Sequence, residues 1–274
     1  MKLFLYSSLM VFSIASCQTK ESAEPTKTSE KTEVNEPISW IIPTGKTIET
    51  RFNTPEGFTR TAMDGNSFGL YLRNLPLKAD GAEVLEFDGT VKSNYQTYLA
   101  VVDLPIGKKD LHQCADAVMR LRADYLFSQS RFNEISFRQA SGKTLSYSAW
   151  LGGKTADKTN LWTYLETVFN TANTTSLNQQ LTTKPVESLE IGDVFITGPP
   201  PGHPFGHAII VVDKCIDNTG KVKFMLAQSF MPAQEIQILD NPTTPGCPWY
   251  DLDFGQNLDT PEWDFTPNQL KSFE

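Results

Sequence analysis

One stretch limits the folds open to this chain more than any other: HAIIVVD, His207 to Asp213, is apolar at every position from Ala208 to Val212. A strand with one wet face alternates polar and apolar residues, so an unbroken apolar run calls for cover on both faces. The DNTG turn after it and the run KFMLAQSF beyond predict an antiparallel hairpin partner. The chain must therefore bury a late hairpin at the centre of a layered domain.

The earlier segments supply the layers. The region from Trp40 to Met63 is broken by Pro43, Gly45, Pro55 and Gly57 and reads as short strands and turns. NSFGLYLRNLPL, Asn66 to Leu77, predicts a short helix capped by Ser67 and ended by Pro76. AEVLEFDG and YQTYLAVVDL read as strands, with a turn at Asp88-Gly89. DLHQCADAVMRLRADYL predicts an amphipathic helix from Asp110 to Leu126, opened by a capping-box pair of Asp110 and Gln113. Ile135 to Gln139 reads as a strand, Asn160 to Asn170 as a helix, SLNQQL as another, and Val194 to Ile196 as a strand after the Gly192-Asp193 turn. Helices early and in the middle with an antiparallel hairpin late define an α+β domain, in which the helix carrying Cys114 packs on the late sheet.

The first 17 residues, MKLFLYSSLMVFSIASC, have one lysine and an apolar run too short for a permanent span. They read as a secretory signal. Ile14, Ala15 and Ser16 before Cys17 resemble a lipobox, which makes Cys17 the lipidation site and the membrane a partner. Residues 18–37 are rich in Lys, Glu, Ser, Thr and Pro, with too little to bury, and read as a flexible tether. Residues 38–274 form a single α+β domain. A net charge of -8 without a basic stripe argues against nucleic acid. The expected location is the cell envelope. Three cysteines remain after Cys17, an odd number; Cys215 and Cys247 could bridge and leave Cys114 free, and the other two pairings stand equally open.

Cys114 near a helix start is where free amides and the helix dipole favour a thiolate, with Lys108 and Lys109 able to add to the effect. The plain alternative is that Cys114, Ala117, Val118 and Leu121 form an ordinary core stripe. His207 changes the balance: it stands after a glycine at the mouth of a buried strand, reachable and rigid, as a general base must be. If Ile216 pairs with Lys221 across the turn, His207 lies opposite Phe230 and Gln228 sits one diagonal step away, where its amide can orient the imidazole. Cys215 lies about 26 Å along the strand from His207, at roughly 3.3 Å per residue, too far to serve it as nucleophile. HPFGH imitates a helical metal pair, but Pro204 and Gly206 forbid a regular helix there, so no metal and no cofactor is expected. His112 reads as a helix-surface residue. Trp249, Tyr250, Trp263 and Phe265 suit either a substrate platform or loop packing. Arg73, Arg120 and Arg122 suit either a substrate carboxylate or solvated helix faces.

A cysteine at a helix start, a GDVFI strand, GHAIIVVD and a polar residue on the next strand resemble the NlpC-type cell-wall cysteine peptidases and the wider papain-like amidases. The resemblance covers about the second half of the chain. It implies a papain-like fold and an amide-cleaving site with Cys114 as nucleophile, His207 as base and Gln228 as orienting residue. Two departures stand out: Cys114 falls about four residues inside its helix, which leaves no obvious oxyanion donor, and the helices between Asn160 and Leu181 read as an insertion able to cover the cleft. FGLYLRNLPL, LHQCADAVMRLRADYL, IGDVFITG, GHAIIVVD, LAQSFMPAQEI, CPWY and TPEW together resemble a Bacteroidetes lipoprotein family known as domain of unknown function 4846. The expected function is a lipid-anchored amidase or peptidase acting on a peptide, plausibly peptidoglycan stems. A non-catalytic binding lipoprotein of the same fold, or a transglutaminase-like acyltransferase using the same residues, are the alternatives.

Overall fold

In the computed structural model the described residues are 39–94 and 97–274. The lipidation site Cys17, the signal and the tether lie outside them. The helices are α1 (Ile48–Arg51), α2 (Phe68–Arg73), α3 (Cys114–Ser128), α4 (Tyr147–Leu151), α5 (Lys158–Thr171) and α6 (Thr174–Gln180). The strands are β1 (Phe58–Arg60), β2 (Tyr98–Val101), β3 (Ser136–Arg138), β4 (Thr144–Ser146), β5 (Thr182–Thr183), β6 (Val194–Thr197), β7 (His207–Asp217), β8 (Val222–Gln228), β9 (Gln237–Leu239), β10 (Tyr250–Asp251) and β11 (Leu270–Ser272). This is a mixed α+β domain built on one large antiparallel sheet, ordered β2-β9-β8-β7-β6-β11-β5, with β1 added to β7 and β10 to β8. Strands β3 and β4 form a separate hairpin.

The long apolar strand is central, as its composition demands. Ala208, Ile210 and Val212 of β7 join a core with residues of α2, α3 and α5, while Ile209 and Val211 join a second core with Phe195, Leu258 and Phe265. The C-terminal segment is thus the second covering layer. Helix α3 is buried at every position from Cys114 to Leu121, so it is a central helix and not the amphipathic surface helix its sequence suggests. Cover comes from β7 beneath it and from α2, α5 and α6 around it. Residues 40–63 are not all extended, since α1 forms within them behind Thr47, whose hydroxyl accepts from the Thr50 amide. AEVLEFDG forms no strand, only isolated bridges from Leu85 to Val91 and from Glu86 to Gln234. The three remaining cysteines are all free and buried, so Cys215 and Cys247 are not bridged.

Register decides where the site residues fall. At the turn Ile216 pairs with Val222, one residue away from the Lys221 that turn chemistry predicts. A bulge between Val211 and Asp213 removes the offset, so Ile210 pairs with Ala227 and the predicted register holds at the site end. The bulge puts the carboxylate of Asp213, which has no solvent exposure, between Arg60 Nε at 2.6 Å and Arg73 Nε at 2.7 Å. Arg73 also donates to the Thr61 carbonyl and Arg60 to the Phe52 carbonyl, so both guanidinium groups are held in place. Arg73 is therefore structural, not a substrate ligand. Removing one member of such a buried set leaves charge without compensation, at a cost of about 3–5 kcal/mol. Asp213→Ala is expected to lose stability in that range, read as a lowered urea midpoint by circular dichroism.

Candidate active site

Helix α3 begins at Cys114 itself, with Gln113 in the extended N-cap position. Asp110 is not the cap: its carboxylate accepts from the Ala233 amide at 2.7 Å and from Gln113 Nε2 at 3.0 Å, and so ties the approach to α3 to the loop after β8. The reciprocal cap contact comes from Asp116, whose Oδ2 accepts from the Gln113 amide at 3.1 Å. Cys114 therefore stands at the tip of a fifteen-residue helix, where the first amides have no intrahelical acceptor. The first-turn amides, which the sequence pattern places about four residues before the cysteine, therefore lie at Cys114 itself.

The thiol contacts Thr174 Oγ1 at 3.9 Å, and the backbone amides of Ala208 and Ala115 lie close enough to the sulfur to lower its pKa. Ala208 is the residue after His207, so α3 delivers the sulfur to the mouth of β7. Gly206, just before His207, lets the end of β6 pass close to the start of β7, because a Cβ there would meet the Thr197 carbonyl oxygen at 2.1 Å. His207 Nε2 lies 2.8 Å from Gln228 Oε1, the diagonal contact that the register predicts. No hydrogen bond joins the sulfur to the imidazole directly. Beyond Gln228 the contacts continue: its Nε2 donates to Glu262 Oε2 at 2.5 Å, and Lys92 Nζ reaches the same oxygen at 2.6 Å. Lys92 carries no sequence signal, and Glu262 stands in the TPEW stretch of the family resemblance with nothing local to link it to Gln228.

Of the four C-terminal aromatics, Trp263 alone is part-exposed. Its ring packs 5.6 Å from that of His207 and 5.1 Å from that of His203. Phe265 is buried against His207, whereas Trp249 and Tyr250 are core residues whose polar atoms bond the carbonyls of Asn53 and Asp240. His112 is fully buried, not on a helix surface: it precedes α3, its Nδ1 lies 3.4 Å from the Gln234 carbonyl, and burial drives its pKa down to about 3. Arg120 is likewise buried, stacked on Trp162 and paired with Asp124, while Arg122 lies over Phe68 and Phe273. Lys109 pairs with Glu166, away from the thiol. Among the described residues no group of three or more His, Cys, Asp or Glu side chains could hold a metal.

A cleft of about 360 Å³ opens at the sulfur. Cys114, Gln113 and Asp116 form one wall, Asn173 and Thr174 at the start of α6 another, and Phe205, half exposed, stands at the rim. The end of α5 and the start of α6 thus line the cleft. Asp116 Oδ1 is buried without a hydrogen-bond partner, and burial pushes that carboxyl up to about 8. Burial also controls the thiol. It pushes Cys114 up to about 11, with a second push from the Asp116 carboxylate, and together these outweigh the lowering by Thr174 and the two amides. Burial holds His207 down to about 4 against the raising effect of Gln228. At neutral pH the resting pair is an uncharged thiol and an uncharged imidazole.

The architecture and cleft define an α+β domain with a cysteine at a helix tip and a buried histidine–glutamine pair whose imidazole packs among Phe230, Trp263 and Phe265. The family described as domain of unknown function (4846) matches residues 48–272, and the chain belongs to it. No curated protein and no solved structure matches the chain.

Alkylation tests the electrostatics. The rate at Cys114, followed by mass spectrometry with iodoacetamide, is expected to climb with pH toward a midpoint near 11. Asp116→Asn is expected to lower that midpoint, because Asp116 is ionised where the thiol titrates and its repulsion is then gone. A wild-type midpoint at or below about 8.5, the value of an ordinary thiol, would mean that dipole and amides prevail over burial.

Proposed function

We propose that this domain is a lipid-anchored, cell-envelope cysteine amidase or peptidase of papain-like architecture, with Cys114 as nucleophile and His207 as base. The observation that supports it most is the meeting of a helix-tip thiol with the mouth of the histidine strand at the wall of an open cleft. Because both groups rest uncharged, the thiol proton passes to His207 Nδ1 as sulfur bonds to the substrate carbonyl carbon, so charge develops only during attack. The Cys114 amide, at the first helical position, then has a free N–H for the oxyanion. Imidazolium returns its proton to the leaving amine, and water attacks the resulting thioester. An amine taking the place of that water would give the acyl-transfer variant of the same chemistry.

A lipid on Cys17 would join the domain to a membrane through residues 18–37, and this favours a substrate held near that surface, such as the stem peptides of peptidoglycan. The net charge of -8 supports a substrate other than nucleic acid. A second reading, a binding domain without turnover, is favoured by the absent sulfur–imidazole hydrogen bond and the burial of both groups.

Peptide release from purified peptidoglycan separates the two. Cys114→Ala and His207→Ala are each expected to lower release by at least about 10²-fold, the scale of a lost nucleophile or general base. Release by Cys114→Ala at the wild-type rate would overturn the amidase reading. Added hydroxylamine or an amino acid appearing in the product would assign acyl transfer instead of hydrolysis.

A further inference from the structure

The side chains beyond Gln228 form one continuous polar chain within an apolar setting. His207 and Gln228 are almost fully buried, Lys92 is 4% exposed, and the Glu262 side chain is 12% exposed. The aromatic rings of Phe230, Trp263 and Phe265 surround the imidazole, and Phe230 also lies beneath the Lys92 ammonium at 5.5 Å. Water has little access with which to correct a wrongly placed proton there, so each donor must meet an acceptor.

A glutamine amide has two ends that differ only in donor and acceptor character, and by shape alone either could face the imidazole. Here the choice is forced from the far side. A carboxylate only accepts, and the Glu262 carboxylate is ion-paired with the Lys92 ammonium through the same oxygen that faces Gln228. Gln228 must therefore give Nε2–H to Glu262 and turn Oε1 to His207. An amide oxygen accepts, so the imidazole must hold its proton on Nε2. Nδ1 is left with its lone pair free.

We propose that Lys92 and Glu262 are positioning residues that fix the Nε2–H tautomer of His207 through Gln228. The two act without touching a substrate, by making one amide orientation the only satisfied one. With Lys92 removed, nothing anchors the Glu262 carboxylate beside Gln228. The Gln228 amide then has no fixed acceptor for its Nε2–H, so it is free to rotate and present Nε2–H to the ring, which moves the imidazole proton to Nδ1. That tautomer has no lone pair for a thiol proton. The tautomer claim stands on geometry alone, whereas its use in proton transfer rests on the amidase reading.

Nitrogen NMR of the histidine ring reads the tautomer directly. In the full chain labelled with ¹⁵N-histidine, with the His207 signal identified by its loss in His207→Gln, the wild type is expected to show a protonated, pyrrole-like Nε2 and a bare, pyridine-like Nδ1 at pH 7. Lys92→Met and Glu262→Gln are expected to shift both nitrogens toward averaged values or exchange them, while Lys92→Arg keeps the wild-type pattern. A wild type carrying its proton on Nδ1 would overturn the proposal, and that result does not depend on any variant folding. So would an unchanged Nε2–H pattern in folded Lys92→Met and Glu262→Gln proteins. Because no turnover is needed, a wild-type Nε2–H signal that disappears in the variants upholds the positioning role even if Cys114→Ala shows the amidase reading to be false.

Discussion

The bulge at Val212 is the constraint on which the site rests. One extra residue in β7 shifts the strand pairing by one position, and side chains alternate between faces with a period of two, so every contact beyond it depends on the shift. Without it His207 would lie diagonal to Ser229, a short hydroxyl, and Gln228 would be one step out of place. The same bulge brings Asp213 to the helix-covered side and into the grip of Arg60 and Arg73. A buried carboxylate with two guanidinium partners is costly to displace, and so the register is fixed about six residues from the imidazole by an ion cluster with no part in the chemistry. The two arginines come from β1 and α2, which means that the first elements of the domain set the alignment of its last large hairpin.

Two opposing effects meet at the helix tip. The unpaired amides and dipole of α3 favour a thiolate, and these effects are worth about 0.3–1 kcal/mol at an exposed helix end and up to about 2 kcal/mol in favourable buried geometry. Burial of an uncompensated charge costs several kcal/mol, and the nearby Asp116 carboxylate, whose Oδ1 has no partner, adds to it. Desolvation prevails, and the same is true at His207. The consequence is a thiol and an imidazole that both rest uncharged, so Cys114 and His207 form no ion pair. The Cys114 amide, at the first helical position, has no acceptor within its own helix.

The central strand was legible in the sequence because an unbroken run such as Ala208 to Val212 has one stable environment, the middle of a covered sheet. Gln228 was legible for a less direct reason: turn chemistry misplaces the pairing by one residue, the bulge misplaces it by one in the opposite sense, and the two cancel. The start of α3 was misread because Asp110 and Gln113 have the spacing of a capping box while Asp110 is engaged by Ala233, a partner more than a hundred residues later that no local pattern reveals. His112 was misread for the same kind of reason, as α5 brings Phe169 over its ring. Lys92 and Glu262 lie 170 positions apart in loops of ordinary composition, and only tertiary structure makes them a pair.

The order of those contacts along the chain has a consequence for how the site becomes complete. Cys114 and the cleft-lining residues of α6 precede the hairpin, and His207 and Gln228 come with it, but Glu262, Trp263 and Phe265 belong to the final segment. Contacts of such sequence separation carry a loop-closure cost that is repaid only when the intervening layers have packed. The apolar residues Leu258, Phe265 and Leu270 supply that repayment by covering the outer face of β6, β7 and β8. Glu262 is placed by the same docking event that covers the sheet, so the polar chain is satisfied only when the core around it has closed. A half-formed network in a buried setting costs more than none, and coupling its last member to hydrophobic burial joins the order of the imidazole to the completion of the fold.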